Sequence, residues 1–331
     1  MENLAIACAG LRKRFGEKMA LDGFDLTVPQ GGVHGLLGRN GAGKTTTVRI
    51  LATLLRPDSG CARVVGFDVA RQASAVRARI GLAGQHAAVD EVLSGRQNLV
   101  MFGRLYHLPA RAARRRADEL LDQFALADAG AKPVRQYSGG MRHRLDLAAS
   151  FIVAPHVLFL DEPTAGLDPH GRNEVWQTIR ALAAGGTTVL LTTQYLDEAD
   201  RLADTVTVIA AGRVIAEGTP DELKSLAGGD RVDVTLREAS DLNPAVRLLQ
   251  ARLGPDVRRS DDDRTLSVQV TNRRAALIQI IGALEEAGIT AEDVAVRRPT
   301  LDEAFLHLTG PQSSPDGAVK TAVPPAGAAT P

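Results

Sequence analysis

Val33-His34-Gly35-Leu36-Leu37-Gly38-Arg39-Asn40-Gly41-Ala42-Gly43-Lys44-Thr45-Thr46-Thr47-Val48-Arg49-Ile50-Leu51 runs from an apolar stretch through a glycine-rich loop into a helix-forming segment. Val33 to Leu37 is a short apolar run of strand length, and Thr46, Val48, Ile50 and Leu51 give the segment after the loop helical character. Between them, Gly38, Arg39, Asn40, Gly41, Ala42, Gly43, Lys44 and Thr45 fit G-x-x-x-x-G-K-[ST], with Thr46 continuing into the helix. The glycines let successive backbone N–H groups turn inward around phosphate oxygens, and the helix N-terminus adds its positive end. Lys44 is placed to neutralise terminal phosphates and the Thr45 hydroxyl to ligate Mg²⁺.

Further apolar runs at Val157 to Leu160, Thr188 to Thr192 and Val206 to Ile209 alternate with helix-length amphipathic segments, which predicts an α/β domain with a mostly parallel, doubly covered sheet. After Gly228-Gly229 the pattern changes. Strands are expected at Val232 to Leu236, Asp256 to Ser260, Leu266 to Val270 and Asp293 to Arg297. Helices are expected near Asn243 to Leu253, Asn272 to Ala287 and Leu301 to Leu308, giving β-α-β-β-α-β and a ferredoxin-like α+β unit. The expected division is therefore residues 1–228, residues 229–310, and a tail, 311–331, rich in Pro, Ala, Gly and Ser and expected to be disordered.

The strand-like run Val157 to Leu160 ends in Asp161-Glu162, which puts two carboxylates at the carboxyl edge of the sheet, where open α/β folds bind ligands. Asp161 suits the Mg²⁺ shell and Glu162 the attacking water, although such a pair alone also reads as a solvated turn. Ser138-Gly139-Gly140 precedes a helix with Leu145, Ala148, Phe151 and Ile152 on one face, and Ser138 reads as its N-cap. Acidic and basic residues balance at 39 each, so no whole-chain field favours nucleic acid. The two cysteines, Cys8 and Cys61, can build neither a disulfide framework nor a zinc site, which fits a reducing cytoplasm. The most apolar stretch, Leu147 to Leu160, is interrupted by Pro155 and His156 and is shorter than the ~20 residues that span a bilayer. Any membrane role is therefore expected to come through a partner.

With Gly38 to Thr45 first, then Gln85, Ser138 to Gly140, Asp161-Glu162 and Ala165-Gly166-Leu167-Asp168, the order of motifs over about Met1 to Ala227 resembles the ATP-binding subunit of ABC transporters. The fold that resemblance implies is a P-loop NTPase core with a helical subdomain. It further implies a homodimer in which Ser138, Gly139 and Gly140 cap the γ-phosphate held by the other copy's Lys44. Gln85 takes the place of a flexible residue that reaches Mg²⁺ and the attacking water, and Asp168 that of a residue crossing the dimer interface to orient catalytic groups. Phe15 takes the place of an aromatic stacked on adenine, usually Tyr; on the residues alone a core Phe at a strand end is as good a reading. One departure stands out. In Thr192-Thr193-Gln194 the family normally has His where this chain has Gln194, and Gln can donate to a phosphate but carries neither a proton nor a positive charge.

Gln194, the Met141-Arg142-His143-Arg144-Leu145 sequence and the C-terminal domain are most similar to the daunorubicin-resistance type of drug exporter ATPases. The implied function is ATP hydrolysis driving efflux of a hydrophobic drug, antibiotic or lipid through a separately encoded membrane permease, with the subunit held at the cytoplasmic face of the membrane. The alternatives are a non-transport ABC ATPase or an ATP-gated switch with weak hydrolysis. The C-terminal domain is read as a dimerising or regulatory module, with Asp261 to Asp263 as a hairpin turn. Arg111, Arg114, Arg115 and Arg116 read as a solvated helix face or as a contact for acidic loops or lipid headgroups.

Overall fold

A computed structural model describes residues 4–84, 88–226, 228–254, 257–260, 262–270 and 272–309. Gln85, Asp256, Asp261 and the tail from Gly310 onward lie outside the described residues. By packing, the chain divides between Pro220 and Asp221 into two compact units, a little before the change of pattern at Gly228-Gly229.

The first unit holds β1 (Leu4–Phe15), β2 (Lys18–Pro29), β3 (Val33–Leu37), α1 (Lys44–Leu51), β4 (Ser59–Val64), β5 (Phe67–Asp68), α2 (Ala73–Arg77) and β6 (Ile80–Ala83). It continues through α3 (Gly95–Leu105), α4 (Ala110–Gln123), α5 (Gly139–Ser150), β7 (Val157–Asp161), α6 (Pro169–Ala184), β8 (Thr188–Thr193), α7 (Leu196–Leu202), β9 (Thr205–Ala210) and β10 (Arg213–Gly218). Six strands form one sheet in the order β10-β9-β3-β8-β7-β6. All neighbours in it are parallel except the edge pair β10 and β9. Every residue of β3, β7 and β8 is buried, as continuous apolar runs covered on both faces require. Leu158, Leu160, Val189 and Leu191 join the core shared with α4, α5 and α6. Phe159, Leu190 and Ile209 join the other core, with α1 and the first strands. Alternating side chains of one sheet thus feed two cores.

A second, antiparallel sheet, β2-β1-β4-β5, was not expected from the sequence. β1 and β2 run twelve residues each and are interrupted by register shifts. Bulges break strict alternation, so these strands carry no clean period-2 signal.

The second unit contains β11 (Asp230–Leu236), α9 (Leu242–Leu253), β12 (Val257–Arg259), β13 (Thr265–Val270), α10 (Arg273–Glu286), β14 (Ala291–Arg297) and α11 (Leu301–Thr309), with α8 (Pro220–Leu226) spanning the division. Its antiparallel sheet has the order β12-β13-β11-β14, the split β-α-β arrangement of the ferredoxin-like fold. Val232, Val234 and Leu236 pack with Leu249, Val268 and Ile280 in its own core. Asp262 accepts hydrogen bonds from the Arg264 and Thr265 N–H groups and from the Thr265 hydroxyl. The acidic turn is therefore a hairpin device, and among the described residues no acidic, His or Cys cluster is grouped to hold a metal.

Candidate nucleotide site

The loop from Gly38 to Thr45 begins where β3 ends and closes into α1. At Gly38 a Cβ would stand 2.5 Å from the Ile209 carbonyl oxygen, and at Gly43, with φ of 117°, 2.6 Å from that of Ala20. Both approaches exclude any larger residue, so here the loop's glycines are set by packing as well as by curvature. Gly43 is the N-cap of α1 and supplies no side-chain hydrogen bond to its first turn. N–H groups left uncapped at a helix start are ready donors for an anion.

Lys44 is 4% exposed. Its Nζ donates to the carbonyls of Gly38 at 2.7 Å and Arg39 at 3.3 Å, and it pairs with Glu162 Oε1 at 3.2 Å. Glu162 is also buried. Removing either partner would leave an uncompensated charge in the interior, a change that costs ~3–5 kcal/mol. Asp161 Oδ1 accepts from the Thr45 hydroxyl at 3.1 Å and the Thr192 hydroxyl at 2.6 Å. Thr45 and Asp161 thus present adjacent hard oxygen donors, the type that Mg²⁺ takes alongside substrate phosphates.

Glu162 has φ of 54°, the left-handed region, although it is not glycine. Such a conformation costs ~1–2 kcal/mol and persists only where surrounding structure holds it. Here the Glu162 N–H is fixed by the Thr192 carbonyl at 3.1 Å and hydroxyl at 3.2 Å. The turn aims consecutive carboxylates differently: Asp161 at Thr45, Glu162 at Lys44.

Phe15 ends β1 half exposed, with the Lys13 ammonium 5.7 Å from its ring centroid. It is therefore not a core Phe. Lys18, its partner across the β1–β2 turn, brings Nζ to 3.3 Å from where a Gly41 Cβ would lie. The turn that carries Phe15 accordingly reaches the phosphate loop and delivers a second cation to it. Sequence reasoning missed Lys18 and Thr192, because each reaches the site through a non-local contact; the closeness of Lys18 to Phe15 and of Thr192 to Gln194 was the available signal.

Ser138 and Gly139 are exposed. The Ser138 hydroxyl accepts from the Met141 N–H at 3.2 Å as the α5 N-cap. Gly140 is buried, where a Cβ would meet Glu174 at 3.1 Å and the Gly171 Cα at 3.4 Å. Asp168 caps α6 by accepting from Gly171 N–H at 2.7 Å. Leu167 lies against Gly139, 3.2 Å from its would-be Cβ. The Ser138 to Gly140 turn and the Asp168 cap are therefore neighbours within this chain. Gln194 follows β8, whose last residues lie in register with Leu37 and Asp161; it is half-buried.

The Ala88 N–H donates to Asp146 Oδ1 at 2.7 Å, and Arg142 pairs with Glu91 at 3.0 Å. Both partners belong to α5, so that helix holds Ala88 and Glu91. Burial pushes the Asp146 carboxyl up to about 6, an effect that the Ala88 N–H reduces. Of the four arginines on α4, Arg116 is a tie: it donates to the Phe151 and Ile152 carbonyls past the end of α5. Arg111, Arg114 and Arg115 are exposed.

A phosphate loop, a Thr–Asp pair, a buried Lys–Glu pair and a capped Ser-Gly-Gly turn, mounted on this sheet, define a P-loop ATPase of the cassette class. The family described as ABC transporter matches residues 21–165. The daunorubicin resistance ATP-binding protein DrrA3 of Streptomyces coeruleorubidus is 66% identical over 310 residues, covering 94% of this chain and 97% of the relative. The daunorubicin/doxorubicin resistance ATP-binding protein DrrA of Streptomyces peucetius is 52% identical, covering 92% of each. Among solved structures, cbiO1 of Clostridium perfringens, part of the ABC transporter complex cbiONQ, superposes with a TM-score of 0.62 at 27% identity, covering 76% of this chain and 96% of that one. The chain belongs to the ATP-binding subunits of ABC transporters, and within them to the drug-resistance type. It is an ATPase subunit of a drug exporter, and ATP is its nucleotide.

Proposed function

We propose that the chain works as a pair of identical subunits at the cytoplasmic face of the membrane, bound to separately encoded permease subunits, and that its ATP cycle drives a hydrophobic drug, antibiotic or lipid outward. The names of the relatives make daunorubicin and doxorubicin the first cargoes to test. Among the described residues no helix is long and apolar enough to cross a membrane, which supports a separate chain for the passage.

The observation that carries the reading is the buried Lys44–Glu162 pair. A terminal phosphate entering the loop competes for the Lys44 ammonium and frees the Glu162 carboxylate, in its strained turn, to orient and deprotonate the attacking water. Thr45, Asp161 and Gln85 are the residues that would hold Mg²⁺; that ion would supply charge neutralisation on the phosphate oxygens. The Phe15 ring offers an adenine its π-face. Ser138, Gly139 and Gly140 cap the γ-phosphate bound by the other copy, Asp168 orients groups across the same interface, and Gln194 donates to the γ-phosphate without taking its proton. On this reading residues 1–228 are the motor, 229–310 a dimerising or regulatory domain and 311–331 a tail.

The deciding experiment is co-purification with Mg-ATP from detergent-extracted host membranes, followed by drug efflux from vesicles of the recovered complex. A stoichiometric polytopic partner and ATP-dependent efflux lost in Glu162→Gln are expected. Recovery with ribosomes or nucleic acid alone would overturn the transport role.

A further inference from the structure

Helix α7 carries a carboxylate that none of the motifs uses. Glu198 is 0% exposed and lies four residues after Gln194. Its Oε1 accepts from the Thr164 hydroxyl at 2.8 Å and from the Trp176 indole N–H at 3.1 Å. Thr164 lies in the loop between Glu162 and Asp168, and Trp176 is in α6, the helix that Asp168 caps. Burial pushes the Glu198 carboxyl up, an effect that the Thr164 and Trp176 hydrogen bonds reduce. Its Oε2 is buried and has no hydrogen-bond partner among the described residues. A buried, half-satisfied carboxylate is expensive where hydrophobic packing would serve as well. What it gains here is connection: one oxygen ties the loop after Glu162, the helix after Asp168 and the helix after Gln194.

We propose that Glu198 is a positioning residue for ATP hydrolysis, locking the turn that bears Gln194 to the loop that bears Glu162 and Asp168 so that the two sides of the γ-phosphate site move together. The inference rests on the ATPase reading of the site. Glu198 acts through Thr164 and the α7 turn. Trp176 is the only tryptophan in the chain, so its fluorescence reports on this knot from one of its three arms.

The test uses the full chain, following Trp176 emission and steady-state hydrolysis during ATP titration, with affinity read from a fluorescent ATP analogue. In the native protein, ATP is expected to shift Trp176 emission. Glu198→Gln keeps an Oε1 acceptor on a side chain of the same shape, so turnover within about twofold of native and the full emission response are expected. Glu198→Leu strands two buried donors; kcat is expected to fall ~10-fold or more, with ATP affinity within about threefold and the emission response lost. Thr164→Val removes one arm at constant shape and covers the case in which the Leu variant fails to fold. A several-fold loss in kcat with a diminished response is expected there too. Native turnover and response in Thr164→Val, or an ATP-insensitive Trp176 in a native protein that hydrolyses ATP, would overturn the proposal. A native protein that neither binds nor hydrolyses ATP would instead overturn the reading on which it rests.

Discussion

The phosphate loop and the Ser138 turn use the same element, a helix N-terminus, in opposite ways. At α1 the cap is a glycine without a side-chain hydrogen bond, and the first helical residue, Lys44, is buried against Glu162. At α5 the cap is an exposed serine whose hydroxyl already satisfies a first-turn N–H. An uncapped, inward helix start is a site waiting for an anion within its own chain; a self-capped, outward one can present its dipole to an anion held elsewhere. One copy is therefore expected to contain half of each working site.

The largest effect is expected at the inner helix start. Glu162→Gln is expected to lower kcat by ~100-fold or more while ATP affinity holds or rises, because the competitor for Lys44 is weakened; equal losses in affinity and turnover would show the pair to be structural. At the outer end, Ser138→Ala is expected to lower turnover ~10-fold and stability by ~1 kcal/mol, leaving ATP binding to the isolated subunit unchanged. Calorimetric ATP binding beside a thermal melt separates the two effects. Gln194→His is expected to shift turnover by no more than about threefold if Glu162 is the base; a gain beyond ~10-fold would make the imidazole's proton the missing component of this chain.

Two buried titratable groups make stability depend on pH in opposite directions. His34 on β3 accepts or donates to the Thr207 hydroxyl at 2.8 Å, and burial lowers its pKa to about 4. The folded chain resists a proton that the unfolded chain takes up, so His34 costs stability as pH falls from about 6.5 to about 4. Asp146 on α5 runs the other way. Its carboxyl is raised to about 6, so stability tied to it is full below the ordinary Asp range and is lost as pH rises through about 6. Each is worth at most ~3 kcal/mol. Chemical denaturation from pH 4 to 7 should show the acid loss removed in His34→Asn and the loss on raising pH removed in Asp146→Asn. Parallel curves for all three proteins would contradict both assignments.

How much of this was legible in the sequence follows from how local each signal is. β3, β7 and β8 were read closely because fully buried parallel strands are continuous apolar runs, and Gly38 to Thr45 because its strand and helix adjoin it. The second unit's element order was legible from alternation and turn residues. The antiparallel β1–β2–β4–β5 sheet was not, since its bulged strands blur the period. Nor were Lys18, Thr192, Asp146 and Glu198, whose roles come from partners far along the chain. Thr192 reaches Asp161 across adjoining strands, and Glu198 meets Thr164 between a loop and a helix. Sequence names the residues that carry the motifs; the fold reveals the residues that hold them.

The most direct test of the two-helix account is to mix two variants, Lys44→Ala and Ser138→Arg, each inactive alone. If α1 of one copy works with α5 of the other, a mixed dimer puts both lesions in one site and leaves the second intact, so random pairing should restore about a quarter of native hydrolysis. Mixed dimers that form on ATP but remain as inactive as their parents would contradict it.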